Sequence, residues 1–436
     1  MLEKLNSWLE RSFLPIAGRV ASWRYIMSAR NAFFSSVPFV LVGSIFLIVA
    51  YIAIPGWDKI VGPYLDRIFA GYNVTMGLLA LWIAAAYGYS LAQHYKLNPL
   101  VGAMASVAGL MSVAVRFSSD GATITATNLG APGVITALLV GTFAVEIYRW
   151  FTVHNITIRM PDSVPPMISA SFAALLPILA EVLILTGLSA WLGLDIPGLI
   201  AKAFVPLIAA GDSFWACVAF ALLISLLFYL GIHGWAVVIG IVGPIQLANI
   251  EANAAAHAAG MAIPHMFTEP FFDAWVAIGG TTTAGALVLW LLFCKSKQLK
   301  QVARLAVVPS FVVNVHEPVM FGVPTVLNPY FFFPVVFVQP ILTAITWLVL
   351  HFGWVTKPFI YVPWSTPEPF YPWLATGGDW RALVLLAVNI AVALAIYYPF
   401  VRAYDNMLLK QEMGQAVAEA GTDGGAQAGT KKAMTV

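Results

Sequence analysis

Asn314, His316, Glu317 and Pro318 interrupt an otherwise apolar stretch. Between Val307 and Val338 the only charged side chain is Glu317. A carboxylate at membrane depth costs roughly 3 kcal/mol even on insertion-derived scales, so such a group faces a cavity, a partner or a ligand. Glu317 can accept two hydrogen bonds at once, which matches the paired donors of vicinal hydroxyls on a sugar ring, and Asn314 can donate and accept. Pro318 removes a backbone donor and breaks the local helix, which leaves carbonyls open to a polar ligand. The competing reading is a structural ion pair or a buried, protonated glutamate. His233 is a second candidate, within Gly231-Ile-His-Gly234. Its flanking glycines let the helix break and a ligand approach, although a lone histidine in an apolar run is often a satisfied core residue. Trp235 beside it could stack on a sugar face or sit in an interfacial aromatic belt.

These residues need a membrane scaffold. The chain has 436 residues, 60% hydrophobic and only 10% charged, against about 25% charged in soluble domains. That marks a polytopic membrane protein. A net charge of +2 gives no reason to expect a nucleic-acid partner. Cys217 and Cys294 read as small apolar residues rather than a disulfide or metal pair. The amphipathic stretch from Met1 to Arg30 lacks the features of a cleaved signal peptide. No phosphate-binding loop, dinucleotide fingerprint or HExxH motif is present.

A spanning helix needs about 20 apolar residues. Clear candidates are Phe33–Ile54, Val74–Gln93, Pro132–Trp150, Ile168–Leu192, Phe214–Ile232, Ala274–Phe293, Tyr330–Phe352 and Ala382–Phe400. Leu100–Val115 and Trp235–Ile250 are weaker. The sum is ten spans in an all-α membrane fold. Alternating sides place sixteen of the 22 basic residues on the side of the N-terminus, which predicts that both termini are cytoplasmic. Pro197–Ala210, around Lys202, reads as an amphipathic interfacial helix. Val307–Pro329 is interrupted by polar residues, Gly and Pro, and reads as a re-entrant hairpin, since irregular backbone survives at that depth only when buried or lining a cavity. Gly279–Gly285, GGTTTAG, reads as a second such element. Beyond Gln415 the composition predicts a disordered tail.

Other polar residues read as structural. Asp162 or Ser163 would cap a helix entered through Met160–Pro166. Glu146 and Glu181 would pair with Arg149 or Arg159. Glu251, Glu269 and Asp273 border a doubtful span, and Glu269, followed by Pro270, is a minor site candidate. Pro363-Trp364-Ser365-Thr366-Pro367 reads as a rigid loop with an aromatic anchor.

In their order and spacing these motifs resemble the membrane permease subunit, enzyme IIC, of the bacterial phosphoenolpyruvate-dependent sugar phosphotransferase system, in the lactose/cellobiose/diacetylchitobiose family. The resemblance runs from Met1 to about Asp405. It rests chiefly on Lys295–Lys300 followed by Val308–Pro329, with Met160–Pro166, Gly231–Gly234, Gly279-Gly280, Pro363–Pro367 and Tyr397–Phe400. It implies a homodimer with ten spans, re-entrant hairpins and elevator-type movement. The implied division is an N-terminal cytoplasmic segment 1–31, a scaffold and dimerisation domain 32–195, a connector 196–212, a transport domain 213–405 and a tail 406–436.

The family's sugar-binding glutamate and histidine correspond to Glu317 and His233, and its first motif asparagine to Asn314. Asn314, His316, Gly234, Trp235, Thr282 and Trp364 complete the expected sugar-binding set, with Glu317 and His233 orienting or deprotonating the sugar hydroxyl. Two departures bear on specificity: His316 replaces an asparagine, and Gly279-Gly-Thr-Thr-Thr-Ala284 replaces Gly-Gly-Ser-Gly-Ala-Thr. The resemblance implies that a separate enzyme IIB, itself charged through IIA, HPr and enzyme I, phosphorylates the sugar at C6 from a phosphocysteine. No cofactor is implied. The alternative is an ion-coupled secondary sugar transporter with Glu317 as coupling site; a membrane sensor is a third reading, for which the tail offers no signalling domain.

Overall fold

A computed structural model describes residues 22–51, 56–118, 121–124, 128–158, 160–161, 164, 166–314, 316, 319 and 322–432, together with residues 11, 15 and 19. Glu317, Asp162 and Ser163 lie outside the described residues. Helices dominate, as the apolar runs predict. The sheet among the described residues is a two-stranded antiparallel hairpin, Val115–Ser118 with Gly121–Ile124, in which Val115 lies opposite Ile124.

The first half contains α1 (Arg24–Tyr51), α2 (Leu65–Thr75), α3 (Leu79–His94), α4 (Pro99–Ala114), α5 (Val134–Val153) and α6 (Pro166–Thr186). Helix α3 packs on α1, α4 and α5. Small residues let it approach closely: a Cβ on Gly88 would lie 2.3 Å from the Gly102 carbonyl oxygen, and one on Gly102 would lie 2.4 Å from Ala92 Cβ. Such contacts drive association where lipid removes the hydrophobic force between helices. Glu146 on α5 ties this group to the chain's start. It pairs with Arg149 at 3.0 Å and accepts from Tyr25 at 2.8 Å and from Tyr95. Glu181 departs from expectation. Arg149 is engaged by Glu146, while Glu181 is buried against Gly109 and its Oε1 has no hydrogen-bond partner among the described residues. Glu251 is structural: its Oε2 accepts from the Ala131 amide at 2.6 Å, at the start of the helical segment leading into α5.

Helix α7 (Ile196–Gly211) joins the halves. Asp195 caps it by accepting from the Gly198 amide at 3.0 Å, and only Pro197 on it is buried. It bends by 80° into α8 (Phe214–Tyr229). The second half continues with α9 (Gly234–Ala258), α10 (Glu269–Trp275), α11 (Ala284–Leu291), α12 (Lys297–Val313), α13 (Phe332–His351), α14 (Phe370–Ala375) and α15 (Arg381–Lys432). Helix α9 packs back on α1, and α13 on α8 and α15.

Seven helices among the described residues are long and apolar enough to cross a membrane, or eight with the bent pair α7–α8. The ten spans predicted from sequence are reached only by adding the shorter apolar helices Pro99–Ala114 and Thr281–Leu291. The span candidate Ala274–Phe293 is broken where the sequence placed an interruption, at Gly279–Gly285. Helix α10 ends at Trp275 and α11 begins at Ala284, with positive φ at Gly279, Gly280, Thr282 and Thr283 between them. Four left-handed residues in five cannot continue a right-handed helix. Conversely, the weaker candidate Trp235–Ile250 lies inside the 25-residue α9.

The segment 406–432, expected to be disordered, continues α15 as helix to Lys432. Good helix formers account for this as far as Ala420; nothing in the Gly-rich sequence beyond explains it. Lower on α15, Asp405 accepts from the Lys295 and Ser296 amides at 2.9–3.1 Å. Glu412 accepts from Ser296 Oγ at 2.7 Å and from the Lys297 amide at 3.1 Å. Together they satisfy the unpaired donors at the start of α12 and place negative charge at its positive end.

Candidate functional site

The site is assembled where three helices stop. Helix α8 ends at Tyr229, and Gly231, at φ +79°, turns the chain toward α9. His233 is the N-cap of α9, its Nδ1 accepting from the Ala236 amide at 3.2 Å. A neutral ring that accepts at Nδ1 carries its proton on Nε2 and offers a donor there. Gly234 has a packing reason: a Cβ would lie 2.8 Å from the Ile224 carbonyl oxygen. Trp235 turns into an aromatic group, with ring centroids 5.6 Å from Phe220 and 6.2 Å from Phe272.

Helix α12 stops at Asn314, a left-handed C-cap with φ +53°. Asparagine tolerates that conformation better than most residues. Asn314 is 8% exposed; its Nδ2 donates to the carbonyls of Trp364 at 2.9 Å and Thr366 at 3.2 Å, while its Oδ1 has no partner among the described residues. The loop 363–367 is thus held by the motif asparagine, which the sequence did not signal. The Trp364 side chain itself is 46% exposed.

His316 is buried, 4% exposed, with its ring centroid 5.0 Å from Phe228 and 6.4 Å from His233; Phe228 in turn lies 4.9 Å from His233. Phe228 therefore packs against both histidines, the three rings forming a triangle, and nothing in its apolar surroundings marks it in the sequence.

The third stop is the turn between α10 and α11. A Cβ on Gly280 would lie 2.7 Å from His316 Cβ, and its φ is +103°, so only glycine fits there. Thr282 and Thr283 have φ of +63° and +55°. This conformation is an outlier for β-branched residues, and such strain clusters at functional sites. The turn is held from outside: Tyr397 Oη donates to the Thr282 carbonyl at 2.7 Å, and Thr283 Oγ1 to the Val276 carbonyl at 2.8 Å. Tyr397 is a further participant missed as an individual from the sequence, although it opens the Tyr397–Phe400 motif.

His233, His316, Asn314, Thr282 and the Trp364 loop are thus linked around one region. Gly234 and Trp235 border it through packing contacts. Among the described residues no group of histidine, cysteine and carboxylate side chains is arranged to hold a metal ion. Cys217 and Cys294 are buried free thiols, each donating to a backbone carbonyl, of Gly211 and Trp290 respectively.

Comparison with known proteins agrees with this architecture. Residues 30–338 match the family model described as phosphotransferase system, EIIC. The lichenan permease IIC component of Bacillus subtilis (strain 168) is 33% identical, over 94% of this chain and 96% of that protein. The cellobiose-specific EIIC component of Geobacillus stearothermophilus is 32% identical, over 96% of this chain and 98% of its own length. The crystal structure of the transporter ChbC, the IIC component of the N,N'-diacetylchitobiose-specific phosphotransferase system, superposes with a TM-score of 0.88 at 30% identity, covering 93% of this chain and 99% of ChbC. Apolar helices long enough to cross a membrane, a site built at helix breaks and these matches lead to one conclusion: the chain belongs to the phosphotransferase system EIIC family and is a multi-pass membrane permease for sugar.

Proposed function

We propose that the protein takes up a β-linked disaccharide and delivers it to a phosphorylated enzyme IIB, which phosphorylates the sugar at C6 from a phosphocysteine. Supporting the disaccharide class, cellobiose, lactose and diacetylchitobiose are the sugars named for similar proteins. The observation that carries the site is the meeting of His233 and His316 on Phe228, beside an Asn314 that ties the Trp364 loop to the end of α12.

Phosphoryl transfer needs in-line positioning and charge stabilisation more than covalent chemistry from the protein. His233, held in place by the bond from the Ala236 amide to its Nδ1, contacts a sugar oxygen. That leaves Glu317 to orient the C6 hydroxyl or take its proton. Asn314 Oδ1 and the exposed Trp364 ring supply an acceptor and a stacking face. His316, where the family has asparagine, tunes sugar preference together with Thr282.

Translocation proceeds by an elevator-type shift of the transport domain 213–405 against a scaffold 32–195 that forms the homodimer, with 196–212 as connector. The site-bearing segments lie re-entrant in the bacterial cytoplasmic membrane, both termini inside. Upstream partners are IIA, HPr and enzyme I.

The test is uptake by proteoliposomes containing the purified chain. Accumulation of sugar phosphate that requires phosphoenolpyruvate and the phosphocarrier proteins supports the proposal. Concentrative, proton-driven uptake of unmodified sugar without them would sink it and establish the ion-coupled alternative. A binding screen of β- and α-linked disaccharides against single sugars identifies the substrate.

A further inference from the structure

Helix α15 runs alongside the broken span and packs on both α10 and α11. Its Ala382, Asn389 and Tyr397 are fully buried and follow one another by seven and eight residues, about two helical turns each, so they share one face. That face is bonded to the broken segment along its length. Before the break, Trp275 Nε1 donates to the Ala382 carbonyl at 3.0 Å. At the break, Asn389 Nδ2 donates to the Trp275 carbonyl at 2.8 Å and to Thr346 Oγ1 on α13 at 2.9 Å. Tyr397 Oη donates to the Thr282 carbonyl at 2.7 Å. After the break, Trp290 Nε1 donates to the Leu394 carbonyl at 2.8 Å.

The turn satisfies part of its own backbone. The Val276 carbonyl accepts from Thr283 Oγ1, the Ala277 carbonyl from the Gly280 amide at 2.8 Å and the Ile278 carbonyl from the Gly285 amide at 3.1 Å. The Trp275 and Thr282 carbonyls are instead met by side chains of α15. A buried carbonyl left without a donor is costly, above all in a membrane protein, where broken helices persist only if neighbouring elements re-satisfy the freed groups. Left-handed Thr282 and Thr283 add a conformation that β-branched residues avoid and that surrounding structure must impose. The effect reaches the candidate site through Gly280, whose Cβ, if present, would lie 2.7 Å from His316 Cβ. A turn that relaxed would shift the surface against which His316 rests.

We infer that Asn389 and Tyr397 are positioning residues for sugar binding. They act through the α10–α11 turn, which they hold in its left-handed form, and through Gly280 they fix the place of His316. This rests on the proposed sugar-binding function and adds to it two residues of the last helix.

The test measures binding of cellobiose, lactose and diacetylchitobiose, together with the melting midpoint, for purified wild-type protein and for Tyr397→Phe, Asn389→Leu and Trp290→Phe. The first two variants remove a donor to the break. Trp290→Phe removes a donor between the same elements but outside the turn, so it controls for a purely structural loss. The expected result is that Tyr397→Phe and Asn389→Leu bind sugar about tenfold more weakly at a temperature where each is folded, the scale of one hydrogen bond lost from a buried carbonyl. Trp290→Phe should melt lower than wild type and keep its affinity. Wild-type affinity in Tyr397→Phe, or an equal loss of affinity in Trp290→Phe, overturns the inference while leaving the proposed function standing. Should Asn389→Leu fail to fold, Tyr397→Phe, which keeps the ring and removes only the hydroxyl, decides alone. If the wild-type protein binds neither these nor other sugars, the proposed function fails and this inference with it.

Discussion

Thr282 allows a test of the turn that shapes the site, because its backbone conformation cancels an ordinary preference. In a right-handed helix or strand, alanine is more stable than glycine by roughly 0.5–1 kcal/mol, since glycine loses more freedom on folding. At φ +63° a residue with a Cβ carries a penalty of about 1–2 kcal/mol that glycine escapes. Thr282 is buried, so removing its side chain also loses packing, about 0.8 kcal/mol per methylene-sized group. The glycine variant loses one more such group than the alanine variant, the Cβ itself, which costs it a further ~0.8 kcal/mol. Neither variant touches the Tyr397 bond, which is made to the backbone carbonyl. The left-handed penalty therefore offsets the entropy and packing advantages of alanine, so the two variants should be about equally stable, whereas at an ordinary φ alanine would lead by about 1.5 kcal/mol. In a chain of this size such a lead would be a difference of about two degrees in melting midpoint. Thermal unfolding of both variants in one detergent, followed by tryptophan fluorescence, reads it out. An alanine variant that melts about two degrees above the glycine variant would refute the left-handed assignment. Sugar binding by the pair adds information: if the threonine side chain touches sugar, both lose affinity equally.

Glu317→Gln should abolish sugar phosphorylation while the protein still inserts and purifies normally; wild-type turnover by that variant would remove Glu317 from the mechanism. His233→Ala should cost about 1 kcal/mol of stability through the lost cap as well as sugar binding. His233→Asn keeps a capping acceptor and should recover the stability but not the binding, so parallel recovery of both would show His233 to be only a cap. Burial pushes the Asp379 carboxyl up, but hydrogen bonds from Arg381 and Thr356 outweigh it and hold the group at about 2. A depressed folded value contributes stability that is present above the unfolded value, near 4, and is lost as pH falls toward 2. Asp379→Asn should flatten that part of the pH–stability curve, and an unchanged curve would contradict the assignment.

The sequence made the scaffold legible because membrane helices obey one dominant rule, a sufficient apolar length. The same rule misled at Ala274–Phe293. Hydropathy there is continuous, whereas the break is conformational and resides in the φ angles of Gly279, Gly280, Thr282 and Thr283. GGTTTAG marked the interruption, but not that its β-branched threonines take the left-handed conformation. Asn314 and His233 were legible as polar residues in apolar runs. Their structural partners were not, because the Trp364 and Thr366 carbonyls and the Phe228 ring become partners only through contacts distant in sequence or between breaks. Glu269 looked like a span-border residue because Tyr361, which donates to it, lies 92 positions further on.

Helix α12 is pinned at both ends to other parts of the chain: Asp405 and Glu412 grip its first amides, and Asn314 at its far end grips the Trp364 loop. Seventeen residues of helix make a rod of about 25 Å. A rod fixed in this way acts as a strut. A displacement of the Trp364 loop along this axis would have to move the Ser296 end with it or break one of these hydrogen bonds.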